Sequence, residues 1–290
     1  MKNFIGLLLG WYLLFGGVGI AVAQDSVPPP KVLSIYREFV KPGKGGMLHE
    51  KAESAFVQAM TRAKWPTHYL AVTSLSGKPR ALFLTGYESF AAWEKDALAA
   101  EKNRTLSAAL DRAAVADGEL LSDADATALV YHDEYSLRSS TDIPHMRYVE
   151  ISLYRVRPGH NKDWDTIVKM VTAAYEKIPD VHWATYQAVY GQEGDTYVVF
   201  TPMKSAAEID KAFTQDKQFM SAMGEEGMKK FGELLAAAIE SSQHNLFVFS
   251  PKMSYVSDEW IKADPDFWKP KPMAAAAASK KSDEKPAASQ

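Results

Sequence analysis

The middle of this chain is written twice. Val40-Lys41-Pro42-Gly43-Lys44 returns as Val156-Arg157-Pro158-Gly159-His160. Leu84-Thr85-Gly86, followed by Ser89-Phe90-Ala91-Ala92, returns as Phe200-Thr201-Pro202, followed by Ser205-Ala206-Ala207. Glu119-Leu120-Leu121 returns as Glu233-Leu234-Leu235. Conserved order at nearly constant spacing marks a duplicated structural unit. Any fold proposed for one copy must serve for both.

Each copy reads as strand, helix, strand, strand, helices, strand. In the first, residues 32–40 alternate and are rich in β-formers. Lys41-Pro42-Gly43 is a turn, and residues 47–63 carry apolar side chains at helical spacing: Leu48, Ala52, Ala55, Phe56 and Ala59. Strands are expected at 68–75 and 81–85 around the turn Ser76-Gly77-Lys78-Pro79, helices at 90–98 and 105–114, and a closing strand at 128–135. The second copy predicts strands at 148–156, 182–190, 196–201 and 245–249, and helices at 161–177, 206–213 and 225–241. A βαββαβ unit forms an antiparallel sheet with helices on one face only. Its bare face must be buried, and two fused units do this by packing sheet to sheet. The expected class is therefore α+β: ferredoxin-like repeats at 32–138 and 146–252, with helices outside and a cleft between the sheets.

The strand ending in Val-Lys/Arg-Pro-Gly-Lys/His, then a helix, a strand hairpin and a Ser-Ala helix start, resembles the dimeric α+β barrel superfamily. Its members include antibiotic-biosynthesis-monooxygenase-like, EthD-like, NIPSNAP-like and chlorite-dismutase-like domains. The resemblance implies ferredoxin-like repeats paired across their sheets as a pseudo-dimer. The activities it implies range from oxygenases and haem enzymes to proteins without known chemistry.

The ends have their own signals. Residues 1–23 read as a signal peptide: Lys2, an apolar run from Phe4, and a small-residue ending at Ala21-Val22-Ala23. A periplasmic or secreted location follows, with no stable membrane insertion after cleavage. Residues 24–31 are a Pro-rich spacer, 253–268 an aromatic extension expected to dock on the body, and 269–290 an Ala/Lys tail expected to be disordered. The chain has no cysteine, which excludes disulfides, thiolate metal sites and a cysteine nucleophile. A net charge of −3 without a basic aromatic stripe gives no sign of nucleic acid. Further self-association is compatible with the fold, although the fused pair already takes the place of a dimer.

Strand alternation nominates the site. Leu33, Ile35 and Phe39 share one face of the first strand, as Val149, Ile151 and Leu153 do in its copy. This apolar set is expected under the helices. Ser34, Tyr36 and Glu38, with Glu150, Ser152 and Tyr154, are then expected in the cleft. There Glu38 and Glu150 would act as bases, and Tyr36 and Tyr154 would bind ligand. The other reading of this set is a polar sheet interface satisfied by Tyr–Glu hydrogen bonds. His68 and His182 stand at matching starts of the second strand and are further base candidates, with Trp183 stacking on the ligand. There is no His-Glu-x-x-His motif, so no dedicated zinc site is expected, and no cofactor motif is present. The expected partner is a small organic molecule, and the expected chemistry, if any, is cofactor-independent oxygenation or isomerisation. The alternatives are a haem protein of the same fold, with His182 or His244 as the second-half ligand, and a non-catalytic envelope interaction protein.

Overall fold

A computed structural model describes residues 26–269. The expected signal peptide, the first two residues of the spacer, and all of the expected tail except Lys269 lie outside the described residues.

Eight strands form one closed barrel. They are β1 (Val32–Val40), β2 (Tyr69–Ser74), β3 (Arg80–Tyr87), β4 (Leu121–Leu137), β5 (Tyr148–Val156), β6 (Trp183–Tyr190), β7 (Asp195–Met203) and β8 (Ile239–Phe249). The order around the barrel is β1-β3-β2-β8-β5-β7-β6-β4, antiparallel throughout. Each half contributes a four-stranded ferredoxin-like sheet, and the halves join at the β2–β8 and β4–β6 seams. Closing the sheets removes every strand edge.

The helices lie outside: α1 (Met47–Ala63), α2 (Phe90–Lys102) and α3 (Arg104–Gly118) in the first half, α4 (Asn161–Tyr175) and α5 (Ala207–Ala238) in the second. No helix among the described residues is long and apolar enough to cross a membrane. The duplicated Pro-Gly turns need a residue at positive φ, supplied by Gly43 (76°) and Gly159 (87°).

Pairing registers superimpose the copies. Ile35 pairs with Leu84, and Ile151 pairs with Phe200 at the same step of the second sheet. The Glu-Leu-Leu match does not survive this test. Val40 pairs with Leu121, but Val156 pairs with Ile239 rather than Leu235, which is still in α5. The second copy carries extra helix there, so those triplets are similar in sequence but not in place.

Both closing strands start earlier than their apolar pattern. The initial stretches of β4 and β8 are largely exposed and polar, including Ser122-Asp123 and Ser241-Ser242-Gln243-His244. They are strands because β1 and β5 offer a ladder; tertiary pairing overrides weak local preference. The helical pattern extended to 241 therefore fails at its end: Ile239–Ser241 are strand. The two helices expected between 206 and 241 run together, broken only at Gly224, with φ 72°.

The barrel reverses the expected facing of the strands. Leu33 and Ile35 meet Val149, Ile151, Val198, Phe200, Phe247 and Phe249 in one core shared by both halves, inside the barrel. Ser34, Tyr36 and Glu38 point the other way, toward α1 and α3. Glu150, Ser152 and Tyr154 point toward α4 and α5. The inside of a closed barrel is surrounded by strands and takes the strictly apolar set. The polar set lies in the layer beneath the helices. At one end the interior turns polar, where Arg37 pairs with Asp125 across β1–β4.

The C-terminal extension folds back as α6 (Asp258–Ala263) and α7 (Pro265–Trp268). Trp268 is 1% exposed, lies in the shared core and donates Nε1–H to the Pro144 carbonyl at 2.7 Å. Arg147 pairs with Asp264 and lies 4.0 Å from the centre of the Phe267 ring.

Candidate functional site

The barrel interior opens into a cavity of about 860 Å³ with mostly apolar walls, among them Leu33, Leu70, Leu84, Val149, Tyr186 and Phe200. Pro28–Pro30 of the spacer and Val256 and Trp260 of the extension line it as well. Alternation along β1, β2, β5 and β6 supplies the walls; chain segments outside the repeats supply part of the rim.

His68, His182 and Trp183 all border this cavity. The histidines are structural equivalents, each standing two residues before a matched pair, Leu70–Leu84 or Ala184–Phe200. His68 stacks on Tyr255 at 4.8 Å. Burial lowers its pKa, opposed by Asp258 and the Pro66 backbone. His182 Nε2 is bonded to the Pro202 carbonyl at 2.8 Å, and Nδ1 faces the Asp180 carbonyl at 3.3 Å. Trp183 donates to the Tyr135 carbonyl at 2.8 Å, and the Tyr186 hydroxyl to the Pro30 carbonyl at 3.1 Å. His182, Trp183 and Tyr186 thus spend their polar groups on the protein itself, and the cavity presents chiefly apolar surface.

Glu38 and Glu150 do not share this cavity. The reversed facing puts them behind different sheets, so the expected pair of bases with two phenols in one cleft is not formed. Glu150 lies at a second cavity, of about 800 Å³, beneath α4 and α5, with Tyr154 and Trp164. Burial, then the Glu150 charge, raises the Tyr154 pKa. Ser152 donates to Glu150 Oε1 at 2.9 Å and stands 2.8 Å from His244 Nδ1. Glu150 approaches that same nitrogen at 3.4 Å. A catalytic triad needs serine and carboxylate on opposite nitrogens of the imidazole, so this trio is not one.

Glu38 belongs to a cluster that strand alternation alone does not reveal. It meets His49 and Glu53 of α1 and Asp117 near the end of α3. All four are buried, at 4%, 3%, 3% and 2% exposure respectively. His49 Nε2 lies 2.9 Å from Glu38 Oε2 and 3.5 Å from Asp117 Oδ1. Glu53 Oε1 and Asp117 Oδ1 have no hydrogen-bond partner. Burial, followed by the charges of Glu38 and Asp117, pushes the Glu53 carboxyl far above the usual carboxylate range. Asp117 is also raised, by burial and then by Glu38, with His49 opposing. A cavity of about 380 Å³ adjoins, lined by Tyr36, Phe83 and Tyr69 among others. Burial, then Glu38, raises the Tyr36 pKa.

One part of this cluster was legible: His49 and Glu53 are four apart on a helix and share a face. Asp117 carried no sequence signal, because only the packing of α3 on α1 brings it close.

No family model and no curated protein matches the chain. Solved structures similar to it include a candidate monooxygenase from Fusobacterium nucleatum, 12% identical, with 76% of this chain and 93% of that one covered and a TM-score of 0.48. An anthrone oxidase-like protein is 15% identical over 78% of this chain and 94% of that one, with a TM-score of 0.47. A mutant chlorite dismutase from Candidatus Nitrospira defluvii is 11% identical over 81% of this chain and 95% of that one, with a TM-score of 0.46. So low an identity carries neither residue roles nor activities to this chain.

The two histidines named for the haem alternative differ in what they offer iron. An axial ligand must offer iron a free ring nitrogen. Both nitrogens of His182 face carbonyl oxygens; His244 lies on the helix side of the sheet, where Nδ1 meets Ser152 and Glu150 and the ring lines the cavity of about 800 Å³.

Proposed function

We propose that this protein is an exported binding protein for a small apolar organic molecule, held inside the barrel between its two halves. The observation that carries this reading is the cavity of about 860 Å³ with mostly apolar walls. That volume is in the range of pockets that enclose small ligands. Burial of apolar ligand surface supplies the affinity, at about 25 cal/mol per Å² before the costs of association. His68 borders the cavity, where it can meet a polar end of the ligand. Export rests on the sequence of residues 1–23. The engagement of His182, Trp183 and Tyr186 with backbone carbonyls favours binding over turnover.

The test is displacement of the fluorescent probe 1-anilinonaphthalene-8-sulfonate from the full chain by alkanes and aromatic hydrocarbons of graded size. Ala184 lines the cavity, so Ala184→Trp should intrude into it and weaken probe binding at least tenfold while the melting temperature stays within a few degrees. Unchanged probe affinity in that variant would reject the cavity as the binding site. Native mass spectrometry of protein purified from its own source, with an absorption spectrum, would then identify the occupant.

A further inference from the structure

We propose that Glu38, His49, Glu53 and Asp117 form a binding site for a divalent first-row transition metal ion beneath the sheet of the first half. One ligand atom from each residue can be chosen so that all lie within 4.8 Å of one another. An ion with bonds of about 2.0–2.2 Å holds its donors about 3.4 Å apart in a tetrahedron and about 4.2 Å apart across an octahedron. Slight side-chain rotation therefore closes this set around an ion.

The second observation is the pair of orphaned oxygens. Glu53 Oε1 and Asp117 Oδ1 are buried without a hydrogen-bond partner, and Glu53 and Asp117 are only 3% and 2% exposed. Buried polar atoms are nearly always satisfied, and leaving carboxylate oxygens bare is costly. In the metal-free fold a proton on Glu53, shared with Asp117, meets part of this need; a cation between them takes its place and answers both oxygens at once. One imidazole with three carboxylates suits zinc, manganese or iron; calcium and magnesium favour all-oxygen sets.

The fold does not require charge at this place. Glu38 pairs with Ala81, and Tyr154 pairs with Tyr197 at the same register of the second sheet. There Tyr154, Trp164, Val168 and Tyr197 pack as an aromatic and aliphatic cluster. The charged set is an addition to the first half. Glu38, Glu53 and Asp117 also border the cavity of about 380 Å³, whose wall holds the partnerless Tyr69 hydroxyl. An ion held there has room beside it for water or a small ligand. The site lies on the opposite face of β1 from the apolar barrel cavity and stands independently of it.

The test uses the full chain, stripped by chelator and titrated with Zn²⁺ or Mn²⁺ alone. About one equivalent should bind, and the isosteric double variant Glu53→Gln/Asp117→Asn should weaken binding at least 100-fold. Pulsed electron paramagnetic resonance of the Mn²⁺-loaded protein should show coupling to a histidine nitrogen, lost in His49→Gln. A control double variant, His145→Gln/His160→Gln, removes the histidines of the half-exposed pairs with Asp142 and Asp163 and should bind normally. No uptake by the full chain overturns the proposal. So does equal uptake by the Glu53/Asp117 variant, a nitrogen signal that survives His49→Gln, or loss of binding in the control.

Discussion

Beneath the first sheet, α1 and α3 cover a carboxylate–imidazole cluster. At the same register beneath the second, Trp164 stacks on Tyr197 at 4.7 Å and tilts against Tyr154 at 5.5 Å. The two halves share strand order, turn glycines and a common apolar interior, yet fill this one place with opposite chemistry. A position that one copy closes with aromatics is not one where the fold demands charge. Buried ionic groups are weak contributors to stability, so the first-half cluster reads as a site that the duplicated scaffold tolerates.

The most severe test moves charge into the apolar half. Val168→Glu places a lone carboxylate among Trp164, Tyr197 and Val156 and should cost about 4 kcal/mol in urea unfolding at neutral pH. Removing the imidazole from the charged half comes next. His49→Leu strands Glu38 and Asp117 and should cost about 3 kcal/mol in metal-free protein.

A third test compares the seams. Ser254 Oγ accepts from Ala71 N–H at 2.9 Å and donates to the Ser250 carbonyl at 2.6 Å, next to the short β2–β8 seam. Ser254→Ala should cost about 2 kcal/mol, with hydrogen exchange accelerated at β2–β8 before β4–β6.

The smallest expected effect is a change of slope with pH. Glu53 in the metal-free fold holds a proton that the unfolded chain releases in the ordinary carboxylate range. Its stabilising contribution is full below that range and is lost as pH rises through the folded-state value. Metal-free protein should therefore lose stability as pH rises from the ordinary carboxylate range toward about 10. Glu53→Gln should flatten that loss.

The duplication made the architecture legible. It located β1, β5 and α1 and paired His68 with His182. The facing of the strands was not legible, because alternation separates two faces without saying which is enclosed. Placing Leu33 and Ile35 inside required knowing that the sheets close into a barrel. The polar starts of β4 and β8 were missed for a related reason: Asp123 and Ser242 are strand only because β1 and β5 pair with them. Asp117 joined Glu38 through helix packing across a long loop of chain, which no local pattern encodes. Trp183 and the two histidines did reach the apolar cavity, but much of their polar capacity is spent on backbone carbonyls.

The most direct measurement is urea unfolding, with and without one equivalent of Zn²⁺, of the wild-type chain and of the variant Glu38→Met/His49→Leu/Glu53→Met/Asp117→Leu. An added site predicts a variant that folds, is at least as stable as metal-free wild type, and ignores zinc, while zinc raises the wild-type midpoint. A variant that cannot fold, or a wild-type midpoint that zinc leaves unmoved, would contradict the account.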